Sequence, residues 1–573
     1  MVYINTFRNS FAFDDNKFII NKLEIRNLGN IPKFFAEDVD GIYRPMRTVL
    51  YSISYAVWGL NPFGYHLTSL LFHVLNAILA FLILNIISKK RVISLTAALL
   101  FAAHPVHTER VTNMTAGFDQ LGIFLFLLAF YFYINFSIKQ NKKFLYYSIA
   151  SFIPALLSSE EAATLPLVIL LYETSFNGLA KESFKKKLGI YISFFAVLSL
   201  YIIVRFSVLG IGARVESYLA NSIYSTFLVM ARVVATYVLI LFFPLNLTLQ
   251  RTVSLSSISI FEPTIALSLL FIMGLVIFAV WIYKKSRITS FCIFWFFITL
   301  LPFSNILPIQ TIMAERYLYL PSIGFCMIVA VIIGKIYNIK AVSQEKAKVI
   351  AIAVFMILIL LYSYATIKRN LDWKDDIALW AKTVETSPTS FAYDNLGFAY
   401  EQKGMLDLAV SYFKAAIELD QKNYQAYSNL GIAYAKKGLN DLAIKSFKKS
   451  IEIKPDFASS HNYLGLAYKN KGMLDLAVKE FEKAIELDAN EYKAYNNLGI
   501  IYAENKDYDL AIKELNKSIE INLRYDEAHF NLGIVYLYLK EYDSAKREFE
   551  IAYQLNPANK DYLSAIRGLK GVK

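Results

Sequence analysis

Apolar residues fall into long runs over the first two thirds of the chain, and after about residue 370 charged and amide side chains recur every few positions. A helix that crosses the bilayer core of about 30 Å needs roughly 20 apolar residues. The first part of the chain therefore predicts a bundle of membrane spans. The candidate spans are 64–87, 92–104, 116–138, 144–157, 161–174, 188–206, 226–243, 264–283, 289–303, 317–336 and 348–367.

Several of these spans are short and contain or adjoin a proline, as at Pro154, Pro166 and Pro302. A broken helix is tolerated inside a membrane only where protein covers it or where it lines a cavity. The short spans therefore predict an internal cavity in the membrane part of the chain.

The last third of the chain repeats itself every 34 residues. The repeated small residues are Gly397, Gly431, Gly465, Gly499 and Gly533, together with Ala409, Ala443, Ala477, Ala511 and Ala545. This period is typical of the tetratricopeptide repeat, a helix–turn–helix unit that stacks into a solenoid. The predicted fold class is all-α, with a polytopic α-helical membrane domain followed by a tetratricopeptide α-solenoid.

Each repeat assigns a role to its small and large residues. Gly431 and Ala443, with their equivalents, are expected to let the paired helices approach closely. His461 and His529 stand where other repeats carry a large aromatic residue, and we expect them to serve packing rather than chemistry.

The concave face of such a solenoid is predicted to be a groove for a peptide or a protein. The alternative is a solvated face that only spaces two modules. The residues predicted to line the groove are Asp394, Glu401, Gln425, Ser428, Asn462, Lys469, Lys493, Asn496 and Glu527.

These patterns divide the chain into five parts. They are an extracytoplasmic loop with an acidic motif over 1–63, a multi-span membrane domain over 64–367, a linker with a partial repeat over 368–390, a solenoid of five repeats over 391–560, and a C-terminal tail over 561–573.

The net charge is +13, which in a soluble protein would suggest nucleic acid as a partner. Here the excess lies in short loops between apolar runs, which is typical of cytoplasmic loops beside an anionic leaflet, so nucleic acid is excluded. The clusters are Lys89–Arg91, Lys139–Lys143, Lys181–Lys187 and Lys284–Arg287. The two cysteines, Cys292 and Cys326, indicate neither a disulfide framework nor a metal motif.

One conflict in sidedness remains. If both 226–243 and 264–283 cross the bilayer, the basic loop after them falls outside, so we expect one of the two to be re-entrant or interfacial. With the basic loops inside, residues 1–63 and the solenoid lie outside. Residues 1–45 contain no long apolar stretch that could carry this first segment across the bilayer. We therefore expect the start to be truncated and one span to be missing. The predicted location is the plasma membrane of a prokaryote.

Two acidic clusters lie on the predicted outer side. Asp14 and Asp15 are adjacent, and adjacent acids suit general-base work because one charge raises the pKa of the other, although a turn or helix cap is an alternative. Glu160 and Glu161 lie between two short spans, where buried acids need a partner, and Arg205 is the candidate.

Two further clusters supply cations and rings. His104, His107 and Glu109 enter the bilayer edge, where polar groups are usually functional. Pro105 disrupts the helical spacing that would let the two histidines share a metal, so no metal site is assigned and a divalent metal is only left open as a cofactor. The second cluster holds Glu315, Arg316 and Tyr317.

Arg316 and Arg44 have the fork geometry that suits a phosphate. For Tyr317, the alternative to a role in the site is a place in the aromatic belt at the membrane surface. All four clusters share one membrane face, which favours a lipid-phosphate substrate whose headgroup meets cations and a base there.

Five motifs in order carry a family resemblance: Phe13-Asp14-Asp15, Tyr43-Arg44-Pro45, Trp58 to His66, His104 to Glu109, and Glu315 to Pro321. With the C-terminal repeats, the chain resembles the transmembrane-and-TPR O-mannosyltransferase-like proteins of the GT-C superfamily of polyprenyl-phosphate-sugar glycosyltransferases. The resemblance implies an acidic catalytic motif at Asp14-Asp15. It departs from the family in lacking a span ahead of that motif.

The leading hypothesis is therefore transfer of a sugar, with mannose as the candidate, from a polyprenyl phosphate to protein Ser or Thr hydroxyls. Its partners are the lipid bilayer, the lipid-linked sugar and a protein acceptor held by the repeats. The rival is a membrane-anchored repeat scaffold without chemistry. A transporter of lipid-linked sugars ranks last, because the polar clusters stay at one face.

Overall fold

The structure is a computed structural model that describes residues 2–38, 42–177, 181–211, 218–249, 251, 258–309, 311–339 and 343–569. The chain divides into two compact units, unit 1 over Met1–Ser387 and unit 2 over Pro388–Lys573. Both are built from helices, which confirms the predicted all-α class.

Fifteen α-helices are formed by the described residues of unit 1. They are α1 Pro45–Trp58, α2 Pro62–Ser88, α3 Arg91–Ala103, α4 Thr108–Thr112, α5 Met114–Phe118, α6 Gln120–Lys139, α7 Lys142–Leu156, α8 Leu165–Tyr172, α9 Lys181–Ile203, α10 Ile223–Phe242, α11 Pro263–Ile282, α12 Arg287–Leu300, α13 Ser322–Tyr337, α14 Gln344–Asp372 and α15 Asp376–Thr386. Short 3₁₀ and π segments precede or connect them, so residues 2–38 and 42–63 are folded rather than an open loop.

Each of the eleven predicted spans contains a helix. Within the ranges that the structure describes, six helical stretches are long and apolar enough to cross a bilayer, and three shorter apolar helices accompany them. The chain is therefore a multi-pass membrane protein. The six stretches are Pro62–Ser88, Met114–Lys139, Lys187–Val208, Ile223–Phe242, Pro263–Ile282 and Gln344–Asp372.

Polar residues mark where the helices start. Asn61 accepts the N–H of Phe63 at 3.1 Å, and the proline between them occupies the first turn of α2, where no N–H is needed. Asn141 accepts the N–H of Lys143 at 3.0 Å in the same way before α7. Asparagines between apolar runs are thus helix caps.

One end of unit 1 collects the ends of several helices and is called the site face. There Thr366 of α14 donates to the carbonyl of Ala103 at the end of α3, at 2.8 Å. His107 and Ser322, at the start of α13, are bonded at 2.8 Å. The site face therefore joins segments that are more than 200 residues apart in the chain.

The opposite end carries the basic loops and is called the basic face. Lys187 at this end pairs with Glu173 at 2.9 Å. The hydroxyl of Tyr283, just after α11, donates to the carbonyl of Thr174 at 2.7 Å. The loop after α11 thus lies with the other lysine-rich loops, as the charge pattern predicts for a cytoplasmic side.

Helix α10 lies at the site face along its whole length. Just before it starts, the hydroxyl of Tyr218 donates to the carbonyl of Ile306 at 3.2 Å, and within it Met230 contacts the amide of Asn305 at 3.2 Å. Both partners follow the site-face end of α12. The first half of α10 is therefore beside the site face.

The far end of α10 is at the same face. The carbonyl of Leu241 accepts Nε2 of His104 at 3.1 Å, and the ring of Phe242 packs against that of Phe325 at 4.8 Å. Since both ends meet one face, α10 runs along that face instead of crossing the bundle. This identifies 226–243 as the span that resolves the predicted conflict in sidedness.

Unit 2 is a stack of helix pairs followed by one further helix. Its helices are α16 Ser390–Gln402, α17 Leu406–Leu419, α18 Tyr424–Lys436, α19 Asn440–Ile453, α20 Ala458–Asn470, α21 Leu474–Leu487, α22 Tyr492–Glu504, α23 Tyr508–Ile521, α24 Asp526–Tyr538, α25 Tyr542–Leu555 and α26 Lys560–Gly568. Most of the residues assigned to a tail thus form α26, whose Tyr562 is buried.

The repeated glycines act as expected. A Cβ at Gly431 would lie 2.5 Å from the ring of Phe447 on the paired helix, and each equivalent glycine meets the same position of its own partner helix. His461 is buried, and its Nδ1 lies 2.7 Å from Oε2 of Glu480. His529 makes the equivalent contact with Glu548 at 2.7 Å. Both histidines therefore fix the stacking of helices.

Candidate active site

The two aspartates of the acidic motif have different environments. Asp15 is buried, and its Oδ1 accepts both the N–H and the hydroxyl of Thr115 at 2.7 Å, while Oδ2 accepts the N–H of Ala12 at 3.2 Å. Burial raises the pKa of Asp15 to about 7 although these hydrogen bonds oppose the rise. Asp15 therefore anchors the segment to the helix that starts at Met114.

Asp14 is only partly buried, and within the described part of the chain its carboxylate has no hydrogen-bond or ion-pair partner. Burial raises the pKa of Asp14, and the positive charges of Arg316, Arg47 and Lys17 oppose that rise. A carboxylate that is accessible, unbonded and more basic than usual suits proton abstraction. The two aspartates thus differ in burial and in hydrogen bonding.

Among the positive charges that act on the pKa of Asp14, that of Arg316 has the largest effect. Glu109 holds Arg316 in place. Oε1 of Glu109 accepts the guanidinium of Arg316, and Oε2 accepts its backbone N–H at 3.0 Å. Glu109 is buried, whereas the Arg316 side chain keeps 23% exposure. One face of the guanidinium lies over the ring of Tyr317 at 5.1 Å. Arg316 is therefore oriented by its partner and still reachable.

Next to this pair lies a largely buried network of three arginines and three carboxylates, of which Arg44 and Glu160 are partly exposed. Asp119 is its centre, because its oxygens lie 2.6 Å from Arg44, 3.2 Å from Arg47 and 3.8 Å from Arg110. Arg47 also acts on Asp14 and so connects the network to the acidic motif.

The network corrects the partner predicted for Glu160 and Glu161. Arg44 pairs with Glu160 at 2.5 Å, and Arg110 pairs with Glu161. Arg205 instead donates to the hydroxyl of Tyr201 at 3.3 Å and lies over aromatic rings. The prediction that Arg205 neutralises these acids is wrong, because the packing of α1 and α4 brings two other arginines closer.

Asp119 and Arg47 were missed by sequence reasoning. A charge within the apolar stretch Met114–Lys139 is costly and usually functional, so Asp119 carried a signal that could have been used. Arg47 stands in the first turn of α1 without a recognisable motif, and nothing in the pattern singles it out.

His104 and His107 do not line an accessible pocket, which corrects their predicted role beside the headgroup. Both are fully buried. His104 bonds the end of α10, and His107 bonds Ser322 at the start of α13. The two histidines therefore connect segments that meet at the site face.

Glu315 and Tyr317 also support the scaffold. Oε1 of Glu315 accepts the N–H of Thr248 at 2.5 Å, and Oε2 lies 3.5 Å from Arg369. The ring of Tyr317 stacks on Phe303 with centroids 3.8 Å apart. Across the described residues, no three His, Cys, Asp or Glu side chains are grouped so that they could hold a metal ion.

Comparison with known proteins covers both units. The family model of dolichyl-phosphate-mannose-protein mannosyltransferases matches residues 44–206. Tetratricopeptide models match 392–423 and 458–491, 424–457, 480–513, and 526–559. The acidic motif lies ahead of the first matched range.

A protein O-mannosyl-transferase of Caenorhabditis elegans is 27% identical over 73% of this chain and 61% of its own length. One of Drosophila melanogaster is 23% identical over 73% of this chain and 54% of its own, and one of Mus musculus 25% identical over 72% and 49%. The chain thus spans about half to three fifths of these relatives.

The chain is similar to the protein O-mannosyl-transferases. This confirms the resemblance that its five motifs predict. The range 44–206 that the mannosyltransferase family model matches includes Arg44, Glu109, Asp119 and Glu161. These residues form or adjoin the site described above.

Several residues that the repeat period predicted to line a groove of this mannosyl-transferase-like chain are buried instead. Asp394, Ser428, Asn462 and Asn496 are buried. Three of them accept the side-chain amide of an asparagine in the next repeat: Asp394 from Asn429 at 3.0 Å, Asn462 from Asn497 at 2.9 Å and Asn496 from Asn531 at 2.9 Å. Their prediction as surface groups is therefore corrected.

Two more of the predicted groove residues are in ion pairs between repeats. Glu401 is buried and pairs with Lys436, and Lys469 lies 3.0 Å from Glu504. Of the remaining three, Gln425 and Glu527 are exposed and Lys493 is half-buried. The first helices of successive repeats contact one another, so these residues share one face. The groups that this face presents are partly exposed asparagine amides, with most charges already paired.

Proposed function

We propose that this chain transfers a sugar from a polyprenyl-phosphate donor to serine or threonine hydroxyls of proteins, and that mannose is the sugar. The observation that carries the proposal is Asp14, an accessible carboxylate that has no bonded partner among the described residues and whose rise in pKa is opposed by the charge of the oriented cation Arg316. The names of the similar proteins support the same reaction class.

Asp14 would act as the general base. A serine or threonine hydroxyl is a weak nucleophile at neutral pH, so a positioned base is needed. The carboxylate accepts the hydroxyl proton while the oxygen bonds to the anomeric carbon of the sugar. The bond from that carbon to the phosphate oxygen breaks, and its electron pair leaves with the phosphate.

Arg316 would stabilise the negative charge that develops on the leaving phosphate. Its pairing with Glu109 fixes the guanidinium before the substrate arrives, and such preorganised charge lowers the barrier more than a mobile one. Arg44, the second cation predicted to bind phosphate, is held by two carboxylates, so we assign it to the scaffold of the site.

The repeat unit would bind the acceptor. Each asparagine in the row Asn429, Asn497 and Asn531 spends one amide hydrogen on the neighbouring repeat and keeps another hydrogen and its oxygen for a ligand. Three repeats thus each offer one donor and one acceptor to the main chain of an extended polypeptide, while the repeat between Asn429 and Asn497 carries Tyr463 at the equivalent position. Apolar residues one turn further, Phe398, Ile432, Ile500 and Ile534, are partly or fully exposed beside the row.

The compartment is part of the proposal. Helix α14 ends at the site face and the repeat unit follows in the chain, so both would lie outside the cytoplasm, across from the basic face. The relatives named above are animal proteins, and the plasma membrane of a prokaryote stays a prediction.

The test is Asp14→Asn in the full chain, reconstituted with a polyprenyl-phosphate mannose and a Ser/Thr-rich peptide. Loss of the base should lower kcat by about a hundredfold or more, with thermal stability unchanged. The matched control is Glu24→Gln, an acid of the same segment whose side chain keeps 57% exposure. Retained transfer in Asp14→Asn would exclude Asp14 as the base. Absence of transfer by the wild type, together with a phenotype caused only by deleting the repeats, would favour the non-catalytic scaffold.

The pH dependence gives a second readout. Only the deprotonated form of Asp14 accepts a proton, so kcat rises as pH increases through its pKa. Because burial raises that pKa, the acidic limb of the profile should lie above the range of an ordinary aspartate. A limb at the ordinary position would contradict Asp14 as the base.

A further inference from the structure

The residue before the proposed base has an unfavourable backbone conformation. Phe13 has a φ of +55°. Side chains other than those of glycine, asparagine and aspartate rarely adopt this region, because Cβ crowds the neighbouring carbonyl oxygen. Such a conformation persists only where surrounding contacts hold it in place. The strain lies directly beside Asp14.

Asp376, in the first turn of α15, makes contacts that hold this turn. Its Oδ1 accepts the backbone N–H of Phe13 at 2.7 Å, and its Oδ2 accepts the side-chain amide of Asn16 at 3.1 Å. One carboxylate thus bonds to residues on both sides of Asp14-Asp15. An unfavourable turn is held at its two ends by a group more than 350 residues away in the chain.

The ring of Phe13 has a partner on the same helix. It packs edge-on against Trp380 with 5.4 Å between centroids and 79° between the planes. The contact explains why a large aromatic residue occupies a position where glycine would be unstrained.

The start of α15 does not need Asp376 as its cap. Asp375 precedes it and accepts the N–H of Ala378 at 2.9 Å, which is the usual N-cap bond. Two adjacent aspartates therefore have separate tasks, with Asp375 starting the helix and Asp376 reaching the acidic segment.

We propose that Asp376 is a positioning residue for Asp14, and that α15 clamps the acidic segment in the strained turn that aims the proposed base at its substrate. The clamp rests on the proposed function, since it assigns a role to Asp376 through Asp14. It also assigns a task to α15 that the sequence, which placed this helix in a partial repeat, does not suggest.

The first experiment compares Asp376→Ala with Asp375→Ala in the reconstituted full chain. Displacing a reacting group by about 1 Å lowers rates by up to about a hundredfold, so Asp376→Ala should lower kcat by about ten- to a hundredfold and leave KM for the donor nearly unchanged. Asp375→Ala removes only the cap, so kcat per folded molecule should stay within about twofold.

Rescue separates positioning from general loss of structure. Glycine adopts positive φ without strain, so Phe13→Gly combined with Asp376→Ala should recover part of the lost kcat. Asp376→Asn, which keeps an oxygen for the N–H of Phe13, should fall between the wild type and Asp376→Ala.

The clamp is overturned if Asp376→Ala leaves kcat unchanged while Asp14→Asn abolishes transfer. It is also overturned if Asp375→Ala lowers kcat as much as Asp376→Ala, or if Phe13→Gly lowers the double variant further. Retained transfer in Asp14→Asn would instead exclude Asp14 as the base, and a wild type that transfers no sugar would overturn the proposed function, so the failures are distinguishable.

Discussion

Ion pairs occur in both units, but the membrane unit contains several buried pairs, whereas most pairs of the repeat unit are exposed. In unit 1 the side chains of Arg47 and Asp119 keep 4% and 5% exposure. In unit 2 the pair of Lys483 and Glu486 keeps 43% and 69%. The same kinds of charged side chain are thus paired inside the protein in unit 1 and in contact with water in unit 2.

The difference in burial changes what a pair does. Removing one partner of a buried pair leaves an uncompensated charge in a poorly solvated place, whereas water replaces the lost partner at the surface. The membrane unit therefore depends on the identity of each charged residue in its network. The repeat unit keeps its fold through apolar helix packing, with the surface charges as solvating groups.

The largest expected effect comes from breaking the centre of the buried network. Asp119→Ala removes the carboxylate that Arg44, Arg47 and Arg110 share. We expect roughly 3–5 kcal/mol lower stability, measured as denaturant-induced or thermal unfolding of the full chain in detergent micelles.

The matched control for this change lies in the repeat unit. Asp407 also pairs with a basic residue, Lys437, but its side chain keeps 90% exposure. Asp407→Ala should leave the unfolding midpoint close to that of the wild type. If the two variants are equally stable, burial does not distinguish the units and the comparison fails.

The same contrast explains how far the sequence could predict the structure. Membrane spans and repeats are recognisable because each follows a pattern within the sequence itself. The pattern is the length of an apolar run for the spans and a 34-residue period for the repeats. The five motifs likewise predicted the family resemblance and placed Asp14 and Arg316 at one face.

Contacts between distant segments could not be predicted. Asp15 bonds Thr115 and Arg44 bonds Asp119, and these partners are chosen by helix packing rather than by spacing in the chain. The role of Asp376 and the positive φ of Phe13 carry no pattern at all. In the repeats, the period identified equivalent positions such as Asn462 but not whether they face solvent or the next repeat.

An intermediate effect is expected from the asparagine row, which is polar yet partly buried. The triple variant Asn429→Ala, Asn497→Ala and Asn531→Ala removes three amides that face the proposed acceptor. At about 1 kcal/mol for each hydrogen bond lost, the loss of three bonds should lower affinity by about a hundredfold. The measurement is fluorescence anisotropy of a labelled, neutral Ser/Thr-rich peptide with the full chain.

Two controls sharpen this test. Asn490→Ala changes an exposed asparagine in a turn and should leave affinity unchanged. A peptide with N-methylated main-chain amides should bind weakly to the wild type if the row reads the main chain. Equal binding of both peptides would exclude this mode, and a strong dependence on salt would indicate charged contacts instead.

The smallest effect is expected from the exposed pairs that recur with the repeat. Lys449–Glu452, Lys483–Glu486 and Lys517–Glu520 occupy equivalent positions 34 residues apart, each within one helix. Replacing all three lysines by alanine should shift the unfolding midpoint by no more than the error of the measurement, because water solvates the remaining acids. High salt should remove any residual difference. A large shift would show that recurrence marks energetic importance; we expect instead that these pairs recur because the whole repeat does, while the unrepeated Asp119 carries far more.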